Sequence, residues 1–362
     1  MNVRLGDHLD FSNGSTPPAR EPNGRFPVYG SNGAIGFAAQ HNASGPLIVL
    51  GRVGSYCGSV RYCDSDVWVT DNALACRAKN PEDTRYWYYA LQTCRLNEYR
   101  AGSGQPLLNQ TILRDISVPA VPTHERRCLA AFLGALDDKI AANNRVIAAA
   151  EALMPGTVES VSEYAPLSSL VSRSTTFVDP GEFDDTVALF SFPAFDDGAR
   201  PELVGARSIK SGKFLLPAPC VLFSKLNPRI PRIWNVVNLP TEMAMASTEF
   251  VVLMPVDADT SVVWSALRQP DVSGTLQQMV AGTSGSRQRI QPRDLLQVPV
   301  RDVRRLPTAA SRTITALGAL CDRRRAESAR LSALRDALLP LLMSGKVPAV
   351  ETALRAPDRG LT

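Results

Sequence analysis

The sequence predicts an α+β protein built as a pseudo-twofold internal repeat: two mixed α/β domains, each followed by one long helix, with the helices paired antiparallel as a coiled coil. Three observations carry this. The chain repeats itself, reading AGSGQPLLNQTILRDISVP from Ala101 and AGTSGSRQRIQPRDLLQVP from Ala281, about 180 residues later. Solenoid repeats have periods of about 20–50 residues, so a period this long marks two similar domains instead. Both copies then pass through a Pro-rich stretch into helical patterns that close on similar words, ALDDKIAANNRVIAAAEALMP and ALCDRRRAESARLSALRDALLP. Ahead of each helix the chain is a series of short strand-like runs broken by Gly, Pro and Asn. The expected boundaries are domains over 1–122 and 161–306, helices over 123–160 and 307–346, and a polar tail over 347–362.

In the first domain LIVLGRVG, SVRYC, VWVTDNALACRA and ISVPAV read as strands, and Tyr86 to Tyr99 as a helix. Thr123 is placed to cap a helix beginning at His124. Along that helix Leu129, Leu133, Leu136, Ile140 and Ile147 recur at alternating spacings of four and three, interrupted by Asn143. Such spacing makes a coiled-coil seam. Pro155 and Gly156 are expected to break the helix. In the second domain PCVLFSKL, PRIWNVVNLP and STEFVVLMPV read as strands, and the final helix repeats the spacing with Leu317, Leu320, Leu331, Leu334 and Leu338. Arg324 and Glu327 interrupt that second seam. A helix of about 30 residues is about 45 Å long, more than one small domain can cover, so the two helices are expected to cover each other. Paired end to end, Leu129 faces Leu341, Leu136 faces Leu334, and Asn143 falls opposite Glu327 with Arg324 one layer away.

Composition excludes several classes. With 44% hydrophobic and 20% charged residues the chain is an ordinary globular protein rather than a disordered one. The formal charge of +4 is too small to announce a nucleic-acid binder, but its distribution is uneven: residues 1–160 are close to neutral and the excess follows them. Arginines gather late, among them Arg301, Arg304, Arg305 and Arg323 to Arg325. They suit either a solvated helix face or a surface that follows phosphates. Seven cysteines without a CxxC pair indicate neither a disulfide framework nor a zinc site. No apolar run stands behind a basic head at the start, and no stretch nears the roughly 18 apolar residues of a membrane span. A cytoplasmic protein with no membrane partner is expected.

The search for chemistry is largely negative. GxxxxGK[ST], GxGxxG, HExxH and GxSxG are missing, and neither Asn-Pro pair, at Asn80 and Asn227, continues as an adenine-methyltransferase motif would. His124 beside Glu125 reads as a solvated first-turn residue, and Asp184, Asp185, Asp196 and Asp197 as loop rather than metal ligands. What remains are Gly- and Asn-rich loops with polar tips. In the first domain they carry Tyr29, Ser31 and Asn32, then Arg52, Ser55 and Tyr56, then Asn72, and finally Ser103 and Gln105. In the second they carry Lys225, Asn227 and Arg229, then Ser247, Thr248 and Glu249, and finally Ser284, Arg287 and Arg289. Glycine allows close backbone approach, while Asn, Gln, Arg and Ser supply base-edge and phosphate contacts. Ordinary turn chemistry explains any one such loop; paired sets of them suggest DNA contact.

In order, LGDHLDFSNGSTPP, PVYGSNGAIGF, LGRVGSYCGSV, VTDNALA, GSGQPLLNQTILRDISVPAVP and HERRCLAAFLGALDDKIAANNRVIAAAEAL resemble the framework of the specificity subunit of type I restriction-modification systems. LFSKLNPRIPRIW, ASTEFVVL and RDLLQVPV look like the family's other common domain variant. The resemblance implies two target recognition domains, each reading half of a bipartite double-stranded DNA site, spaced by the helix pair. It further implies two methyltransferase subunits recruited by the helices and restriction/translocase subunits that can join. It implies a chain without catalysis or cofactor of its own, S-adenosylmethionine and ATP being used by the partners. The sequence departs from the family at His124-Glu125-Arg126-Arg127, where Glu-Gln is usual, and it is short for the family. Two other readings stay open: a DNA-binding adaptor of another modification or phage-defence complex, and a nuclease or methyltransferase acting alone.

Overall fold

A computed structural model describes residues 2–101, 107–227, 232–280 and 288–347. The chain forms two compact units, Met1–Lys139 with Arg330–Thr362, and Ile140–Ala329.

The first unit is organised by an antiparallel four-stranded sheet in the order Leu9–Asn13, Ala73–Ala78, Leu47–Gly51, Val60–Cys63. Leu47–Gly51 is buried along its whole length because both faces of the sheet are covered, which is why its sequence is a continuous apolar run. The pleat sends Ile48 and Leu50 to one face, where helix Thr84–Thr93 packs with Tyr86, Trp87 and Ala90. Leu47 and Val49 go to the other face and meet Val67 and Val69. There a small sheet of Gly33–Ala38, Phe26–Gly30 and Trp68–Val69 pairs the last two strands in parallel.

The second unit repeats the plan. Its main sheet has the order Val171–Ser174, Phe250–Pro255, Cys220–Ser224, Ile233–Val236, again antiparallel throughout. Val221 and Phe223 face helix Thr260–Leu267, whose start is capped by the Asp259 carboxylate accepting from Ser261 N at 2.8 Å. Cys220 and Leu222 face a five-stranded sheet in which Thr186–Phe190 and Met243–Ala246 run parallel. Tertiary main-chain bonds recur as well: Leu5 N donates to Ile116 O at 2.9 Å, and Leu167 N to Val298 O at 3.0 Å.

Two helices of 36 residues, Thr123–Val158 and Thr308–Met343, each divide between the units. Helix formation begins at Thr123 itself, with Pro122 O accepting from Glu125 N at 2.9 Å. The start of the first helix is held by Arg126, which is 6% exposed. Its guanidinium lies 2.9 Å from the buried Asp83 carboxylate, donates to Val121 O at 3.3 Å, and sits over the rings of Tyr86 and Trp87. Pro155 does not end the helix as expected. A proline inside a helix costs about 3 kcal/mol, but burial of the flanking Met154 and Val158 returns about 1.5–3 kcal/mol each, and both are essentially fully buried. Gln269 Nε2 also donates to Pro155 O at 2.9 Å.

In each unit the helix segments run antiparallel. In the first, Leu129 and Leu133 share a core with Leu338, Leu339, Leu342 and Met343, and Asp137 pairs with Arg335 at 2.7 Å. In the second, Ala150, Met154 and Ile147 meet Ile314, Leu317 and Cys321, and Arg325 pairs with Glu151. Asn143 is 1% exposed there, and its Nδ2 donates to Glu327 Oε2 at 3.0 Å and Ser328 Oγ at 3.2 Å. Arg324 holds the same Glu327 at 2.8 Å. Leu136, Ile140, Leu320 and Leu331 are half-buried. The second helix, however, turns a different line inward from the one its leucines suggest. Leu334 and Leu341 are 46% and 40% exposed, while Ile314, Cys321, Leu339 and Leu342 are buried. Arg325 and Arg335 supply the intervening positions, lying along the seam on their aliphatic stems with their heads ion-paired. Among the described residues no helix is long and apolar enough to cross a membrane.

Arg126→Ala leaves the Asp83 carboxylate buried and unpaired, and should lower the unfolding free energy by about 3–5 kcal/mol in denaturant titration; a change below about 1 kcal/mol would show that the pair carries no such weight. Replacing Asn143, Arg324 and Glu327 together by Leu should raise the thermal midpoint, because an apolar seam around the buried position 143 is more stable than a polar one. A lower midpoint would contradict this.

Candidate nucleic-acid interface

The polar loops singled out in the sequence converge in the first unit at one end of the main sheet. Arg52 N donates to Asn72 O at 3.1 Å, and Arg52 O accepts from Leu108 N at 3.0 Å. Ser31 Oγ donates to Asn72 O at 2.5 Å and accepts from Val53 N at 3.2 Å. Gly51 is required at the crossing, since a Cβ there would lie 2.5–2.6 Å from Ser59 Oγ, Ser31 O and Tyr56 O. Gly14 is equally constrained, its Cβ position being 2.0 Å from Thr70 O. On this frame Asn32, Ser55, Tyr56 and Asn72 are exposed. Arg52 is half-buried, with Nη1 donating to Asn13 Oδ1 at 3.2 Å. Tyr29 plays a different part. It packs on the cluster containing Leu47 and Val49, and burial, with the Cys63 thiol beside it, pushes its hydroxyl up to about 12. Ala101 and Leu107 close a further loop by mutual main-chain bonds of 3.0 and 3.1 Å. Ser103 and Gln105 of that loop lie outside the described residues.

The second unit uses the same main-chain frame with other side chains. Lys225 N donates to Glu249 O at 2.8 Å, and Lys225 O accepts from Ile290 N at 2.9 Å. Position 225 therefore corresponds to 52, 249 to 72 and 290 to 108. Bridges between Val53 and Leu107 and between Leu226 and Arg289 match in the same way. Lys225 Nζ donates to Thr248 O at 2.5 Å and lies over the Phe214 ring at 5.4 Å. Its pKa is lowered, first by burial and then by the charge of Arg173. Arg289 pairs with Glu249 at 2.8 Å. Asn227 is exposed and takes a left-handed φ of 53°, a conformation Asn tolerates better than most residues. Arg229, Ser284 and Arg287 lie outside the described residues.

Nearby, Arg232 holds Asp196 with two bonds of 2.7 Å, so one member of the expected acidic loop is an ion-pair partner whose carboxyl the guanidinium keeps below its usual range. Sequence reasoning missed Asn13 and Arg173. The Asn13-Gly14 dipeptide is a turn signal that could have found the first. Arg173 sits on a strand, and only tertiary pairing brings it beside Lys225.

Residues 1–152 match the family model of the type I restriction modification DNA specificity domain. The type I restriction enzyme EcoprrI specificity subunit of Escherichia coli is 24% identical over 174 residues, which is 48% of this chain and 42% of that protein. The similarity thus spans less than half of that relative's length. The crystal structure of the type I restriction-modification S subunit of M. genitalium is similar in fold, with a TM-score of 0.62 over 94% of each chain at 14% identity. Over its first 152 residues the chain is thus similar to type I restriction modification DNA specificity domains, and in fold it is similar to a type I restriction-modification S subunit.

Proposed function

We propose that the chain is the DNA sequence-specificity subunit of a type I restriction-modification complex, binding a bipartite double-stranded site with one unit on each half. The observation that carries this is the loop frame. The same main-chain bonds fix position 52 against 72 and 108, and position 225 against 249 and 290, while the side chains presented differ. Two copies of one frame with different tips suit two half-sites of different sequence. The basic excess in the second half of the chain favours a phosphate-bearing ligand there.

Partner subunits are part of the proposal. Val146 and Leu153 on the first long helix are 39% and 56% exposed, and Leu334 and Leu341 on the second are 46% and 40% exposed. Each pair is seven residues apart, so each lies on one helix face as a seam left uncovered. Two such stripes suit two methyltransferase subunits, with restriction subunits joining the assembly. The chain itself has no catalytic role in this reading, and S-adenosylmethionine and ATP belong to the partners. Incubated alone with DNA, Mg²⁺ and S-adenosylmethionine it should neither cleave nor methylate; either product would overturn the proposal.

In the assembled complex, Ala in place of Arg52, Tyr56, Asn72 or Asn227 should each weaken binding to the selected duplex. Loss of a phosphate contact lowers the salt slope by about 1 for all sequences alike, whereas loss of a base contact costs about 1–3 kcal/mol at one position. Wild-type affinity in all four variants would remove these loops from the interface. Leu153→Glu and Leu334→Glu should each reduce the methyltransferase copies retained from two to one in native mass measurement; two copies in both variants would place the docking face elsewhere.

A further inference from the structure

Among the described residues, the arginine at position 289 is the exposed loop-frame arginine held by a carboxylate of the same frame. Its Nη2 donates to Glu249 Oε1 at 2.8 Å, while the side chain stays 56% exposed. Among the described residues its Nε and Nη1 make no hydrogen bond. Glu249 is itself immobilised: its carbonyl accepts from Lys225 N at 2.8 Å, its N donates to Ser247 Oγ at 3.3 Å, and its Oε2 is buried without a hydrogen-bond partner. A carboxylate beside Lys225, Arg173 and Arg289 subtracts from the positive field. It therefore works against backbone binding, and attraction of phosphate does not explain its presence. What it does is hold the Arg289 guanidinium through one of the two Nη2 hydrogens, which leaves the other Nη2 hydrogen to complete a two-donor edge with Nε or Nη1 for a ligand. Arg289 itself forms an antiparallel bridge with Leu226, so main chain and side chain are both set before a ligand arrives.

We propose that Arg289, positioned by Glu249, reads a guanine in the half-site bound by the second unit, its free edge donating to O6 and N7 in the major groove. Guanine is the base that offers two acceptors at the spacing of the guanidinium fork. The matching positions of the first unit are Leu107 and Asn72, which cannot form such a pair, so the guanine reader belongs to one half-site alone. This rests on the reading of the chain as a DNA-specificity subunit.

The test is selection from a randomised duplex library by the assembled complex, for the wild type, Arg289→Lys and Glu249→Gln. The wild type should enrich a split motif, and Arg289→Lys, which keeps the charge but loses the fork, should drop the preference for guanine at one position by about ten- to a hundredfold. Glu249→Gln should lose the same preference while binding unrelated duplex more tightly, a paired change that a merely structural role would not give. The wild-type complex is also assayed on its motif with each guanine in turn replaced by 7-deazaguanine, which lacks the N7 acceptor, so that no outcome depends on a variant folding. One guanine should prove sensitive, and the Arg289→Lys complex should be indifferent to that replacement. A motif unchanged in Arg289→Lys, or a wild type insensitive at every guanine, overturns the proposal and leaves the specificity-subunit reading standing. Enrichment of no motif by the wild type overturns both.

Discussion

A loop that presents side chains to a ligand has taken its main chain out of the sheet, yet its N–H and C=O groups still need partners. Every other feature of the candidate interface depends on how that is solved. At residue 52 the N–H is taken by Asn72 O and the carbonyl by Leu108 N; at residue 225 the partners are Glu249 O and Ile290 N. Three loops far apart in sequence are tied at one residue, and the crossing is so close that Gly51 has no room for a Cβ. The strands behind hold the tie in place, because Leu47–Gly51 and Cys220–Ser224 are buried on both faces and cannot slip without exposing alternate residues.

Much of the α+β plan was legible in the sequence, and the reason is local. LIVLG, ALAC, CVLF and FVVLM are continuous apolar runs because both sheet faces are covered, and tertiary structure had little to override. The small sheets were legible only in part: Trp68 and Val69 fell within a run read as one strand with Ala73–Ala78. Trp68–Val69 is only two residues long, and its parallel pairing with Phe26–Gly30 joins segments some forty residues apart. The long helices were half legible. The register that sets Asn143 against Glu327 follows from spacing, whereas the inward line of the second helix was hidden because arginines fill seam positions that a search for leucines passes over. Pro155 misled for a similar reason: the cost of a proline is local and visible, and the burial that outweighs it is not.

The candidate site divides in the same way. The loops could be named from their Gly, Asn and Ser content, and the correspondence of the two halves from the repeated words. Which side chains stand outward could not. Tyr29 resembles its exposed neighbours in sequence and yet packs inward beside Cys63. Glu249 and Arg289 are forty residues apart and acquire a meaning only as a pair. Arg126 shows the same limit in the core, where a residue that reads as surface charge near a helix start is buried between two aromatic rings and a carboxylate.

The bonds that tie the loops have one property that reaches beyond a single molecule. They run between backbone atoms, and a backbone bond is blind to the identity of the residue that makes it. Arg52 and Lys225, or Asn72 and Glu249, occupy matching places without any change in the tie. A lineage can therefore exchange one tip for another by point mutation and inherit an intact scaffold. Under the function proposed for this chain, that separation of frame from lettering would let recognition change while the fold stays as it is.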